Sequence, residues 1–447
     1  MKTLALSVII AGLMVVPARA QFYFADSNLW VTAQERARVE YRSDNYTFNS
    51  AVSADTDTFL LQRARLGLGA KACDWFKAYG ELQDAREISS QRIVAGANPN
   101  LDEDTIDWRQ GWVELANYQE FPLGVKVGRQ ELSYGSERLV GASDWTNVGR
   151  VFDAVKAHWQ IPQGWVDFFY ANVVNNNVTT GNDNSFDDHN YWQDHLYGLY
   201  GHTTTLPDIS LDLYGLYRNK TDAQYNGPAR EIYTLGTRLE STEKTKPWDY
   251  YAEVAGQFGH IDGPGGKYFG QTTSNSVSQR ALAAVVGGGY TFATNWKPHL
   301  GLEYNYASGD SNPKDNVNGT FDNLYPTNHK FYGFIDLFSW KNVHNPHATF
   351  SVTPLKNLKL QLDGNLFWLA ETSDSWYRAT QTQIRRDVTG NAGSFVGSEI
   401  DVTATYSPHK RVKLQAGYSR FFTGDFVADT GTHSDADFAY GQVTLSL

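Results

Sequence analysis

Between residues 30 and 447 the chain repeats one pattern, a run of about ten residues of alternating character followed by a turn. In residues 30–42, Val31, Ala33, Ala37, Val39 and Tyr41 share one parity. Thr32, Gln34, Arg36, Arg38, Glu40 and Arg42 share the other, and Glu35 is the break on the apolar side. In residues 60–71, Leu60, Ala64, Leu66, Leu68 and Ala70 oppose Arg63, Arg65, Gly67, Gly69 and Lys71. The period is two, not 3.6, so the segments are strands. About eighteen of them follow one another, an even number that returns both ends of a closed sheet to the same side. Connections alternate too. Tight turns at 72–74, 119–122, 162–164, 206–208, 294–297, 354–357 and 408–411 interleave with long polar loops such as 88–105, 175–194 and 310–330. A secreted sandwich has no reason to alternate this way. An all-β, single transmembrane antiparallel β-barrel does, with short periplasmic turns and long extracellular loops.

Composition agrees. Mean hydropathy is -0.46, and no run after Ala20 approaches the ~18 apolar residues of a spanning helix. Yet the chain holds 26 Tyr, 24 Phe and 13 Trp, as expected where strands hide their apolarity by alternation and aromatic girdles mark the lipid interfaces. Trp159, Trp165, Trp248, Tyr250, Tyr251 and Trp296 cluster near strand ends and are the girdle candidates. Residues 1–20 read as a cleaved secretory leader, with Lys2, an apolar run from Leu4 to Val16 and Ala18-Arg19-Ala20. Residues 21–447 are then one barrel domain bound for the bacterial outer membrane. The single cysteine, Cys73, makes no intramolecular disulfide. The last strand alternates Ala439, Gly441, Val443, Leu445 and Leu447 with Tyr440, Gln442, Thr444 and Ser446, an amphipathic end of the kind read by barrel assembly machinery. A formal charge of -11 argues against nucleic acid as a partner.

One stretch, residues 127–156, departs from plain alternation. It packs Arg129, Glu131, Glu137, Arg138, Asp144, Arg150 and Asp153 around Trp145 and Phe152. So many opposite charges are costly to bury unless paired, and fit beside an aqueous channel. This stretch, GRQELSYGSERLVGASDWTNVGRVFDAVK, resembles the signature region of the alginate export family of outer-membrane barrels. Residues 321–336, FDNLYPTNHKFYGFID, and 397–401, GSEID, resemble two further family segments in the same order. The resemblance implies an eighteen-stranded barrel with a charged, arginine-rich lumen for anionic polysaccharide, narrowed by a loop from the periplasmic side and by loops from outside; a monomer is expected. It further implies a charge cluster of Arg129, Arg138, Asp144, Arg150 and Asp153. His329 and Asp336 would lie near the pore mouth, and Glu399 and Asp401 would open a late strand.

Strand parity supplies the remaining lumen candidates. Arg36, Arg38, Arg63, Arg65, Lys156, Arg218, Arg238, Lys359 and Lys413 face inward, against Glu40, Glu81, Glu114, Asp212, Glu253, Glu303, Asp363, Glu399 and Asp401. Fixed guanidinium groups replace the hydration of a carboxylate in a narrow passage, and many weak sites let it hop onward. The competing reading is that these charges brace the barrel and serve a general porin for neutral or cationic nutrients. Acidic loop residues (Asp102, Glu103 and Asp104; Asp183, Asp187 and Asp188) would repel a polyanion outside. An enzymatic reading rests on Asp187, Asp188 and His189 as base and orienter of a barrel-borne hydrolase, with no nucleophile motif beside them. His329, His344 and His347 match no closed metal site. Asp310, Asn312 and Asp315 outline a calcium loop without the Gly and closing Glu. No cofactor is expected.

Overall fold

The computed structural model describes residues 22–24, 28–45, 47–52, 55–91, 102–174, 194–221, 229–242, 246–262 and 276–447. The leader and the Asp187, Asp188, His189 run lie outside them. Eighteen barrel strands follow in chain order. They are β1 (Leu29–Ser43), β2 (Asp57–Cys73), β3 (Phe76–Ile88), β4 (Asp104–Leu115), β5 (Leu123–Gln130) and β6 (Phe152–Ile161). Next come β7 (Gly164–Val173), β8 (Asp194–Thr203), β9 (Ile209–Lys220), β10 (Ala229–Ser241), β11 (Trp248–Asp262) and β12 (Val277–Thr291). The last are β13 (His299–Ala307), β14 (Val343–Leu355), β15 (Leu358–Trp368), β16 (Phe395–His409), β17 (Val412–Thr423) and β18 (Ala436–Ser446). Each pairs antiparallel with its chain neighbour, and β18 closes on β1 with Gln34 opposite Ser446 and Tyr41 opposite Ala439. A short strand, Phe22–Phe24, adds to β1 at Val31.

Burial is inverted relative to a water-soluble protein. Arg36, Arg38, Glu40 and Arg63 are buried, whereas Leu66, Leu68 and Leu302 are 58%, 60% and 66% exposed. That arrangement is stable only where lipid covers the outside, as period-two alternation requires. Near the long-loop rim Tyr170, Tyr197, Tyr217, Tyr233 and Phe258 form a continuous ring ladder across β7–β11, with centroids 4.5–5.7 Å apart. Trp159, Trp248, Tyr250 and Trp296 are exposed near the short-turn rim. Trp165 and Tyr251 are not girdle residues. Trp165 stacks on Tyr200 and His202 inside, and Tyr251 donates its hydroxyl to Glu303. Glu35 faces lipid midway along β1, where its carboxylate accepts from Gln62 at 2.8 Å.

The long-loop half of the barrel is filled. The connections 131–151, 308–342 and 369–394, with helix α1 (Asp425–Thr430), fold inward around Phe321, Tyr332, Trp340, Trp376 and Phe426, each buried to 1% exposure or less. Each such side chain contributes on the order of 2 kcal/mol of burial. Two of these loops are zipped by a parallel bridge between Val140 and Tyr325, with Tyr325 N–H to Leu139 O at 2.8 Å and Gly141 N–H to Tyr325 O at 2.9 Å. Among the described residues the short-turn rim carries only brief connections, so the restricting loops enter from the other side. The periplasmic loop implied by the resemblance is absent from them.

Candidate functional site

The loop 131–151 crosses the barrel so that Asp144 meets the inward row of β1 and β2. Its carboxylate lies 3.1 Å from Arg63 and 2.8 Å from Arg65, and its main-chain oxygen accepts from Arg36 at 2.7 Å. Arg36 also donates to Thr146 O and Asn147 Oδ1, and its Nε is buried without a hydrogen-bond partner. Burial alone would raise the Asp144 carboxyl. The guanidinium groups of Arg63, Arg65 and Arg36 outweigh it and hold the carboxyl well below the usual carboxylate range. Three buried arginines thus surround one half-exposed acid, two on its carboxylate and one on its main-chain oxygen, and the cluster carries surplus positive charge.

Beside it the two infolded loops stack. The Trp145 indole lies between the Arg38 guanidinium, 3.9 Å from its centroid, and the His329 imidazole at 3.7 Å and 8°. Arg38 is held in turn by Glu40 at 2.7 Å, and His329 Nδ1 by Asp336 at 2.9 Å. Behind the imidazole, Glu399 and Asp401 on β16 accept the main-chain N–H groups of Ile335 (3.0 Å) and Phe334 (3.4 Å). Gly333 makes this approach possible. Its φ is +82°, and a Cβ there would sit 2.5 Å from the Glu399 carboxyl carbon.

The other expected residues are braces. Arg129 forks onto Asp153 at 2.9 and 3.2 Å across β5 and β6. Arg138 reaches Glu303 at 2.6 Å and lies 3.8 Å over Phe331. Arg150 donates to the main-chain oxygens of Gly141, Tyr325 and Pro326, tying the loops together. Burial brings this guanidinium down to about 10. Five of the thirteen candidates, Arg36, Arg38, Arg63, Arg65 and Asp144, therefore gather at one constriction. His329, Asp336, Glu399 and Asp401 adjoin it, whereas Arg129, Arg138, Arg150 and Asp153 brace the loops and wall.

Sequence reasoning missed several partners. Arg109 pairs with Glu81 at 2.7 Å and with Glu131, hidden by a β-bulge between Glu81 and Leu82 that shifts the parity. Asp322 bridges Arg218 and Arg230, which overcome its burial and keep it far below the carboxylate range. Asp102 is not a repelling surface acid; it is 8% exposed and accepts from Asn147 N–H at 2.8 Å. His344 bonds Tyr304 while His347 bonds Asp363, so their rings engage different partners. Asp310, Asn312 and Asp315 turn their oxygens onto the N–H groups of Asn312, Lys314 and Val317. Among the described residues no cluster of three or more metal-ligating side chains gathers. On the far side of the loop pair a chamber of about 300 Å³ lies between Arg138, Arg238 and Lys330 and the acids Glu240, Glu253 and Glu303.

A closed eighteen-stranded barrel with a lipid-exposed apolar wall and a charged lumen defines an outer-membrane channel. It is not an enzyme. The family model for alginate export matches residues 28–440, and the chain belongs to that family. No curated protein matches it. Among solved structures it is similar to OccAB4 of Acinetobacter baumannii (11% identity, 93% of this chain and 98% of that one, TM-score 0.61). It is similar also to OccK8 (OprE) of Pseudomonas aeruginosa (11%, 95% and 99%, 0.58). A third similar structure is OccK2 (OpdF) of the same organism, solved in complex with glucuronate (12%, 95% and 99%, 0.58).

Proposed function

We propose that the channel passes anionic saccharide of the alginate type, or its oligomers, by diffusion along the arginines that face Asp144. The observation that carries this reading is the imbalance at the constriction, where Arg63 and Arg65 share the one Asp144 carboxylate and Arg36 donates to its main-chain oxygen. Donors already committed to a fixed acid bind a passing carboxylate weakly and release it, which is what conduction needs. The glucuronate held by OccK2 is consistent with a carboxylated sugar in a barrel of this shape. The protein acts as a monomer in outer-membrane lipid, delivered through its amphipathic β18 by the barrel assembly machinery.

The test is the reversal potential of purified protein in a planar bilayer under a salt gradient, with and without a uronate oligomer. Anion selectivity with uronate block is expected. Arg63→Glu with Arg65→Glu should abolish both while the unheated protein keeps its folded gel mobility; unchanged selectivity would remove these arginines from the path. A general porin for neutral or cationic solutes is the second reading, favoured by Glu240, Glu253 and Glu303 around the far chamber. Cation selectivity without block would establish it.

A further inference from the structure

The short-turn mouth carries charges that the constriction does not use. Across β2 to β6 the register sets Lys71 opposite Lys77, Lys77 opposite Glu114, Glu114 opposite Lys126, and Lys126 opposite Lys156. Like charges directly opposite one another weaken a sheet, so this inward arc works against the fold that holds it. Neighbouring acids relieve it only in part. Lys71 has Asp74 at 2.6 Å and Lys77 has Glu114 at 3.5 Å. Lys156 lies 3.3 Å from Asp167, but Asp167 also bonds His158 at 2.5 Å and the Tyr134 hydroxyl at 2.9 Å. Among the described residues Lys126 has no carboxylate at salt-bridge distance; its ammonium lies 3.8 Å over the Trp112 ring.

Between these side chains is a cavity of about 200 Å³ lined by Glu114, Tyr118, Gly124, Lys126, Lys156 and His158. It has room for roughly six waters. Its floor depends on Gly124, where a Cβ would come within 2.4 Å of the Tyr118 hydroxyl. Tyr118 is 41% exposed and meets His158 edge-on at 5.3 Å, so an aromatic face stands open beside the ammonium pair. An ammonium pair recognises an anionic group, an open ring face recognises the C–H face of a sugar, and Glu114 accepts from hydroxyls.

We propose that Lys126 and Lys156, with Tyr118 and His158, form a subsite for one carboxylated pyranose at the short-turn mouth, separate from the arginine constriction. The proposal rests on the reading of the channel as a path for anionic saccharide. In a planar bilayer with the full chain in known orientation, a tetrameric uronate added on the short-turn side should block wild-type current. Lys126→Gln with Lys156→Gln should raise the half-blocking concentration from that side about tenfold. Lys126→Arg with Lys156→Arg should hold it within about twofold, which separates charge from folding. Tyr118→Ala should weaken tetra-uronate block about fivefold and leave acetate block unchanged. If the Gln pair leaves the block intact while Arg63→Gln with Arg65→Gln removes it, the subsite is wrong and the channel reading stands. Equal loss for acetate and uronate, or no effect of Tyr118→Ala, reduces the site to a plain anion patch and overturns the sugar assignment. No block of wild type from either side overturns both.

Discussion

At the scale of single residues, Asp144 decides the sign of the constriction. Replacing it by Asn removes the carboxylate that Arg63 and Arg65 share and leaves both beside Arg36, which keeps its bond to the main-chain oxygen. Breaking a buried charge cluster by deleting one partner costs about 3–5 kcal/mol, less here because the Asp144 side chain is half-exposed. The expected outcome of Asp144→Asn is a reversal potential shifted toward anions together with easier unfolding; a shift toward cations would place Asp144 off the path. A second residue gives a pH dependence. Burial, with Asp374 nearby, pushes the Asp310 carboxyl up to about 6, partly offset by the Asn312 N–H it accepts. Because the folded value lies above the unfolded one, folding favours the protonated form. The penalty is absent below about pH 4, grows as pH rises and is complete above about 6. Asp310→Asn should therefore protect the 308–342 loop from protease by on the order of 1–2 kcal/mol at pH 7.5 and by little at pH 4.5. Equal protection at both values would sink this account.

At the scale of elements, the eighteen strands were legible because a lipid-facing wall enforces period two on every segment, and β1 reads Val31, Ala33, Ala37, Val39 against Arg36, Arg38, Glu40. What the pattern concealed lies in the connections. Phe321, Trp340 and Trp376 sit in segments that read as polar loops, yet they form the core that fills the barrel, because loops have no periodicity to reveal which side chains turn inward. The pairing of Arg63 with Asp144, 81 residues on, was equally hidden, since local spacing says nothing about a loop crossing a lumen. Parity did mark Glu35 as an exception, and the fold leaves it facing lipid with Gln62. Polar groups at mid-wall are destabilising, acids less than bases. Glu35→Leu with Gln62→Leu is expected to raise resistance to urea unfolding in vesicles by on the order of 1–2 kcal/mol. A loss of stability would mean that something other than lipid covers this part of the wall.

At the scale of the whole molecule, the question is whether the infolded loops part during conduction. They are held by the Val140–Tyr325 bridge, by Arg150 bonded to main-chain oxygens on both loops, and by the Trp145–His329 stack. They are also anchored to the wall, through Glu399 and Asp401 on β16 and through Arg218 and Arg230 bound to Asp322. Breaking these contacts together would expose a large apolar core in every opening event, which exceeds the few kcal/mol available to a thermally gated loop. Conduction should therefore run past a fixed insert, along the exposed side of Asp144 and its β1–β2 arginine partners. A disulfide across the bridge tests this, since directly paired positions fall within disulfide reach. With exposed Cys73 changed to Ser, oxidised Val140→Cys with Tyr325→Cys should conduct like the reduced form, with the same selectivity and the same uronate block. If oxidation silences the channel and reduction restores it, the loops must separate to let solute through, and the Asp144–arginine contact is a closed state rather than the wall of the path.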